Sequence, residues 1–154
     1  DKNKSFEEEF LSTLELLISK GHQIVLIYPI PEVGVHVPKY IFNSIKGKSL
    51  SDIKSDFKLL TTSYEVYKER SASTFELFDS IQSPNIHRVY PHTLFCNKQI
   101  KGRCVTHDND DAFYADDDHP SAKGSEMIVE LINEQIENAE ANIRGKAIKQ
   151  LMDE

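Results

Sequence analysis

No run of apolar residues in this 154-residue chain approaches the roughly 20 that a membrane-spanning helix needs, so nothing in it reads as a bilayer segment. Positive charge is also scarce: 18 Lys and Arg stand against 25 Asp and Glu, a formal net charge of -7. An acidic surface repels a phosphate backbone, which argues against nucleic acid as a partner and makes anionic surfaces poor ones. There is no internal repeat and no low-complexity tract. Cysteine is limited to Cys96 and Cys104, which would supply half the ligands of a structural zinc site and have no second close pair. No positively charged start leads into an apolar signal core, and the first residue is Asp1 rather than Met, so the expectation is a chain cut from something longer.

What remains is a globular composition, 39% apolar and 28% charged, at a length that fits one domain and buries roughly 70% of its unfolded surface. Phe6, Phe10, Leu11, Leu14, Leu17 and Ile18 recur at the three- and four-residue spacing of an amphipathic helix, which Gly21 ends. Gln23 to Tyr28 is a short run rich in branched residues, expected as a strand buried on both faces. Residues 29–38 hold three prolines and a glycine and are expected as an ordered loop at the carboxyl end of that strand, where open α/β sheets bind ligands. From about Leu50 to Ile81 the pattern is mostly helical, with a break near Leu60 to Ser63. Ile86 to Tyr90, between Pro84 and Pro91, is a second strand candidate, and Pro91-His92 turns the chain into another loop. From Ser121, a candidate N-cap, a helix is expected with Met127, Ile128, Leu131, Ile132 and Ile136 on one face. Residues 137–154 are either its extension or a frayed tail. Helix, strand and helix in alternation is an α/β rhythm, yet two strands are too few for a stable doubly wound sheet. Another chain or a swapped element is therefore expected over the open edge.

Seven residues separate Cys96 from Cys104, so a bridge is sterically easy; two unpaired thiols remain the alternative. The most informative stretch is residues 107–124, HDNDDAFYADDDHPSAKG. A calcium loop counted from Asp108 would place Phe113 where the sixth-position glycine belongs and His119 where the twelfth-position glutamate belongs, so that reading fails. A looser metal site of His107, Asp110, Asp116 and His119 follows no spacing rule, and no metal ligand or cofactor is assigned. A third possibility is catalytic. Asp116, three residues before His119 in a turn, can reach the ring Nδ1 proton and leave Nε2 outward as a base for a hydroxyl nucleophile. The bland alternative is an acidic loop whose Asp117 or Asp118 meets the positive end of the following helix.

Asp116-Asp117-Asp118-His119-Pro120-Ser121-Ala122-Lys123-Gly124, preceded by Phe113-Tyr114, resembles the last conserved block of the SGNH (GDSL-like) hydrolase superfamily. More narrowly it is similar to the SGNH domain at the carboxyl end of acyltransferase-3 proteins, bacterial membrane enzymes that O-acylate surface polysaccharides. The strand Ile24 to Tyr28 followed by Pro29-Ile30-Pro31-Glu32-Val33-Gly34 resembles the middle of that domain, and Tyr67 to Arg70 resembles its "Y..R" helix. Cys96 and Cys104 sit where its periplasmic cystine is expected. The resemblance covers about residues 5–136 and implies a three-layer α/β/α flavodoxin-like fold, here incomplete, in 1–136, with 137–154 as tail.

It further implies His119 as general base and Asp116 as its orienting partner. The superfamily's serine belongs to a Gly-Asp-Ser block near the domain's amino-terminal end, and no Gly-Asp-Ser occurs here; its oxyanion-hole glycine and asparagine have no convincing match either. The implied function is O-acyl transfer, such as O-acetylation of lipopolysaccharide O-antigen, by a triad whose serine lies outside these residues. An SGNH carbohydrate esterase and an inactive glycan-binding or scaffolding module are the alternatives. The implied partners are a membrane-embedded acyltransferase domain of the same polypeptide, an acyl donor and a polysaccharide acceptor, and the implied place is the periplasmic face of a bacterial inner membrane. Pro29, Pro31, Glu32 and His92, at strand ends, are expected to line the substrate cleft.

Overall fold

The structure, a computed structural model, describes residues 5–49, 51–53 and 58–153. Its elements run α1 (Phe6–Ser19), β1 (Ile24–Ile27), α2 (Val37–Ile45), β2 (Thr61–Ser63), α3 (Tyr64–Ser80), β3 (Ile86–Val89), α4 (His92–Phe95), β4 (Arg103–Val105) and α5 (Ala122–Asp153). They fall into two compact units, each with its own apolar cluster. The first comprises Asp1–Tyr28, Ala72–Tyr90 and Leu131–Glu154, the second Pro29–Ser71 and Pro91–Glu130.

In the first unit α1 begins at a capping box. The Ser5 hydroxyl accepts from the Glu8 amide, and the Glu8 carboxylate accepts from the Ser5 amide at 2.9 Å. Gly21, at φ +83°, takes the left-handed conformation that lets the chain leave the helix. β1 and β3 pair in parallel, Ile24 opposite Ile86 through Ile27 opposite Val89, which confirms the α/β rhythm. Alternation sends Ile24, Leu26 and Tyr28 to one face, where they meet Phe10, Leu14 and Ile18 of α1 and Phe75 and Phe78 of α3. The expectation of a strand buried on both faces is corrected here: Ile27, on the opposite face, is 47% exposed. Phe6 also points away from the cluster, at 78% exposure, so the apolar face of α1 starts at Phe10. Arg88 donates to the Phe78 and Ile81 carbonyls and so satisfies the carboxyl-terminal end of α3.

In the second unit Val37, Phe95, the two cysteines, Val105, Phe113 and Tyr114 form the core, with Met127 and Ile128 of α5 against it. Cys96 and Cys104 are bonded at an S–S distance of 2.04 Å, which resolves the choice left open by their spacing. The stretch expected to be mostly helical from Leu50 to Ile81 is interrupted by a strand: β2 pairs antiparallel with β4, Thr61 opposite Val105. Arg103 reinforces the pairing by donating to the Thr61 hydroxyl and carbonyl. Leu50 and residues 54–57 of that expectation lie outside the described residues. The proline-rich loop ends sooner than expected, because Val37 and Pro38 open α2, with the proline in the first turn where its missing N–H costs nothing. α5 continues unbroken through residues 137–153, so the tail is an extension of the helix, while Ile136 is 39% exposed rather than packed on the apolar face. Among the described residues no helix is long and apolar enough to cross a membrane.

Candidate functional site

The Asp116–His119 turn is closed by a ladder of backbone bonds. The Phe113 amide donates to the Thr106 carbonyl at 2.9 Å, Ala115 donates to His119 at 2.9 Å, and Ser121 donates to Phe113 at 2.9 Å. Tyr114 and Pro120 face each other across its base. Ser121 then starts α5: its Oγ accepts from the Gly124 amide at 3.1 Å and donates to the Ala112 carbonyl at 2.6 Å. At Gly124 a Cβ would lie 2.1 Å from the Phe113 carbonyl oxygen, so only glycine lets the first helical turn approach the loop this closely. The serine and glycine of the block are thus structural, and they fix where the turn sits.

A second loop holds the turn from the other side. The amides of Val33 and Gly34 donate to the Asp117 carbonyl at 2.8 and 3.4 Å, and the Val37 amide donates to the Asp116 carbonyl at 3.0 Å. That loop is itself pinned by two tyrosine hydroxyls. Tyr67 donates to the Pro29 carbonyl at 2.7 Å and Tyr114 to the Pro31 carbonyl at 2.8 Å. One helical turn past Tyr67, Arg70 reaches Glu32 at 3.4 Å. The "Y..R" pair therefore grips the Pro29–Glu32 segment from one face of α3.

Within the turn, Asp116 uses its two oxygens differently. Oδ1 accepts from the Asp118 and His119 amides at 3.1 and 2.8 Å, and Oδ2 accepts from His119 Nδ1 at 2.9 Å. The backbone donors hold the Asp116 carboxyl well below the usual carboxylate range, and Asp116 in turn raises His119 above the ordinary 6.5. The His119 side chain is 73% exposed, and its Nε2 makes no hydrogen bond among the described residues. An imidazole with Nδ1 committed to a carboxylate and Nε2 free can take a proton from a hydroxyl.

The sequence expectation of an Asp117 or Asp118 at the helix end is replaced by a different arrangement. Ser121 caps α5, and Asp118 Oδ1 instead lies 2.9 Å from His119 Nδ1. Three consecutive aspartates carry no periodicity that could have singled out Asp118. Asp116, Asp118 and His119 place ligand-type atoms within 4.8 Å of one another, while His119 Nδ1 is already bonded to the Asp116 carboxylate at 2.9 Å. The looser metal set fails at His107: it is fully buried, with Nε2 accepting from the Leu60 amide at 3.0 Å and Nδ1 donating to the Asp108 carbonyl at 2.9 Å. Asp110 is held through its amide by Asp108 Oδ1.

Of the four expected cleft residues, Pro31 is fully buried and its carbonyl accepts from the Tyr114 hydroxyl. Pro29 is half-buried with its carbonyl on Tyr67, and Glu32 is exposed beside Arg70. His92 stacks on Tyr64 at a centroid distance of 6.1 Å and lies tilted against Tyr67 at 5.3 Å, and burial lowers its pKa below the usual 6.5. The sequence singled out Tyr67 in the "Y..R" pair and Tyr114 ahead of the acidic block, but not the loop carbonyls to which their hydroxyls donate.

A family model described as the SGNH domain fused to AT3 domains matches residues 1–134. The chain belongs to this SGNH family. No curated protein and no solved structure matches it. As an SGNH domain the chain is of mixed α/β class, which agrees with the parallel β1–β3 pair and the helices around it. Its family also places it with an AT3 domain as fusion partner.

Proposed function

We propose that this chain carries the base of an O-acyltransferase acting on a bacterial cell-surface polysaccharide, on the periplasmic side of the membrane, with an AT3 domain of the same polypeptide supplying the acyl group. The observation that carries the reading is the Asp116–His119 pair: Nδ1 bonded at 2.9 Å and Nε2 unengaged, in an SGNH domain fused to AT3 domains. A serine outside these residues attacks the donor's acyl carbonyl while His119 Nε2 takes its proton. Collapse of the tetrahedral intermediate expels the donor's leaving group, which receives that proton, and leaves an acyl-serine. A sugar hydroxyl then attacks, His119 accepts its proton, and the proton returns to the serine oxygen as the ester leaves. Asp116 keeps the ring oriented and stabilises the imidazolium formed in both half-reactions.

The test is made in the full polypeptide, in cells lacking their own copy, by counting O-acetyl groups on the surface polysaccharide by proton NMR. His119→Ala is expected to lower acetylation at least roughly 10³-fold at unchanged protein level. Normal acetylation in that variant removes the role given to His119. Water in place of the sugar would make the same machinery an esterase; purified protein that strips acetyl groups from the polysaccharide and never adds them would select that reading. A gene without a Gly-Asp-Ser serine upstream would leave only a non-catalytic glycan-binding module.

A further inference from the structure

Two carboxylates, not one, face the His119 ring nitrogen: Asp116 Oδ2 and Asp118 Oδ1 each lie 2.9 Å from Nδ1. Only Asp116 meets hydrogen-bond geometry there, and it alone also ties down the turn through its other oxygen. The Asp118 side chain is half exposed and has no other polar partner among the described residues. Two ionised carboxylates converge on one point only when a donor lies between them, since otherwise they repel and a solvated side chain turns to water. Building on the catalytic role proposed for His119, we propose that Asp118 is a second positioning residue, which stands beside the Nδ1 proton that Asp116 accepts and holds the ring in the same orientation when Asp116 cannot.

The chemistry of the turn separates the two carboxylates cleanly. In Asp116→Asn the side-chain carbonyl can still accept from the Asp118 and His119 amides, so the turn keeps its shape. The new amide N–H group then confronts the ring N–H, two donors facing each other. Asp118, at the same distance as the lost acceptor, becomes the partner of Nδ1, and Nε2 stays outward. Asp117, the third acid near the ring, contributes charge but no contact.

The experiment is a nitrogen-15 NMR titration of His119 in this chain, for wild type, Asp116→Asn, Asp118→Asn and the double variant. Asp116→Asn is expected to keep the neutral ring protonated on Nδ1 and its pKa above 6.5, and the double variant to lose both properties. An Asp116→Asn ring that titrates and tautomerises like a free histidine overturns the proposal. Should Asp116→Asn fail to fold, Asp116→Ser, whose hydroxyl can still accept from a turn amide, is titrated in its place: a neutral ring still protonated on Nδ1 supports the proposal, and a ring that tautomerises like a free histidine refutes it. In the full polypeptide, the Asp116→Asn rate is expected within about tenfold of wild type and the double variant at least about a hundredfold below either single variant. These readouts separate from the function itself, because loss of the catalytic reading by His119→Ala leaves the ring titration unaffected as a measure of Asp118.

Discussion

His119 is an exposed side chain whose freedom has been removed at one nitrogen only. Most surface histidines have both ring nitrogens in water; here Nδ1 is fixed by Asp116 while the ring remains 73% exposed. The hydrogen bond to Asp116, its charge, and the charges of Asp118 and Asp117 all favour the imidazolium and raise the pKa above 6.5. A general base must be neutral, so the sign follows directly: activity falls as pH drops through the raised value. The acidic limb of the kcat/KM profile for the full polypeptide is expected above pH 6.5, and replacing both Asp116 and Asp118 by asparagine should move whatever activity survives to a limb nearer 6.5. A limb below 6.5 in the wild type would show that another group sets it. The Asp-x-x-His spacing made this pair legible in the sequence, because three residues in a turn suffice to bring the carboxylate onto the ring. The second carboxylate was not legible, since which of three adjacent aspartates folds back is decided by the turn's backbone.

At the scale of elements, the turn is placed by contacts that have nothing to do with proton transfer. Gly124 sits where a Cβ would meet the Phe113 carbonyl oxygen at 2.1 Å, and that carbonyl already accepts from the Ser121 amide. Gly124→Ala must therefore push α5 off the loop. A cost of about 1–3 kcal/mol is expected, with a fall in His119's pKa as the Asp116 bond loosens. Denaturant unfolding and the same ring titration would measure the two effects, and an alanine variant unchanged in both would mean that the helix shifts freely. Ser121→Ala, which removes only the cap, should cost about 1 kcal/mol. α1 and the start of α5 could be read from their helical period, and β1 and β3, four residues each, from short branched runs beside prolines. β2 and β4 could not, because three residues each are too few to show alternation and their pairing depends on the distant Arg103–Thr61 bonds. α2 was hidden by Pro38, which reads as a breaker until its first-turn position is known.

Across the whole molecule, the chain holds a histidine bonded to a carboxylate, His119 on Asp116, but contains no Gly-Asp-Ser block. The absence was plain in the sequence, whereas the division into two units with separate clusters was not, since local periodicity says nothing about which apolar faces meet. The second unit is stapled by the cystine, whose sequence separation of 8 corresponds to about 2.5 kcal/mol in the chain-entropy account. Reduction should lower its melting temperature by roughly 5–10 °C; a reduced chain with an unchanged melt would place the bond outside the cooperative structure. The catalytic consequence is sharper. Acyl transfer needs an attacking hydroxyl and donors for the oxyanion, the latter commonly worth about 3–4 kcal/mol. The hydroxyl nearest in sequence to His119, Ser121, is occupied by the Gly124 amide and the Ala112 carbonyl. On a chromogenic acetyl ester, then, this chain alone should react no faster than an equal concentration of free imidazole, and Ser121→Ala should leave that slow background untouched. Saturable turnover that disappears in Ser121→Ala would mean that the nucleophile lies within these residues after all, and the assignment of an outside serine would fall with it.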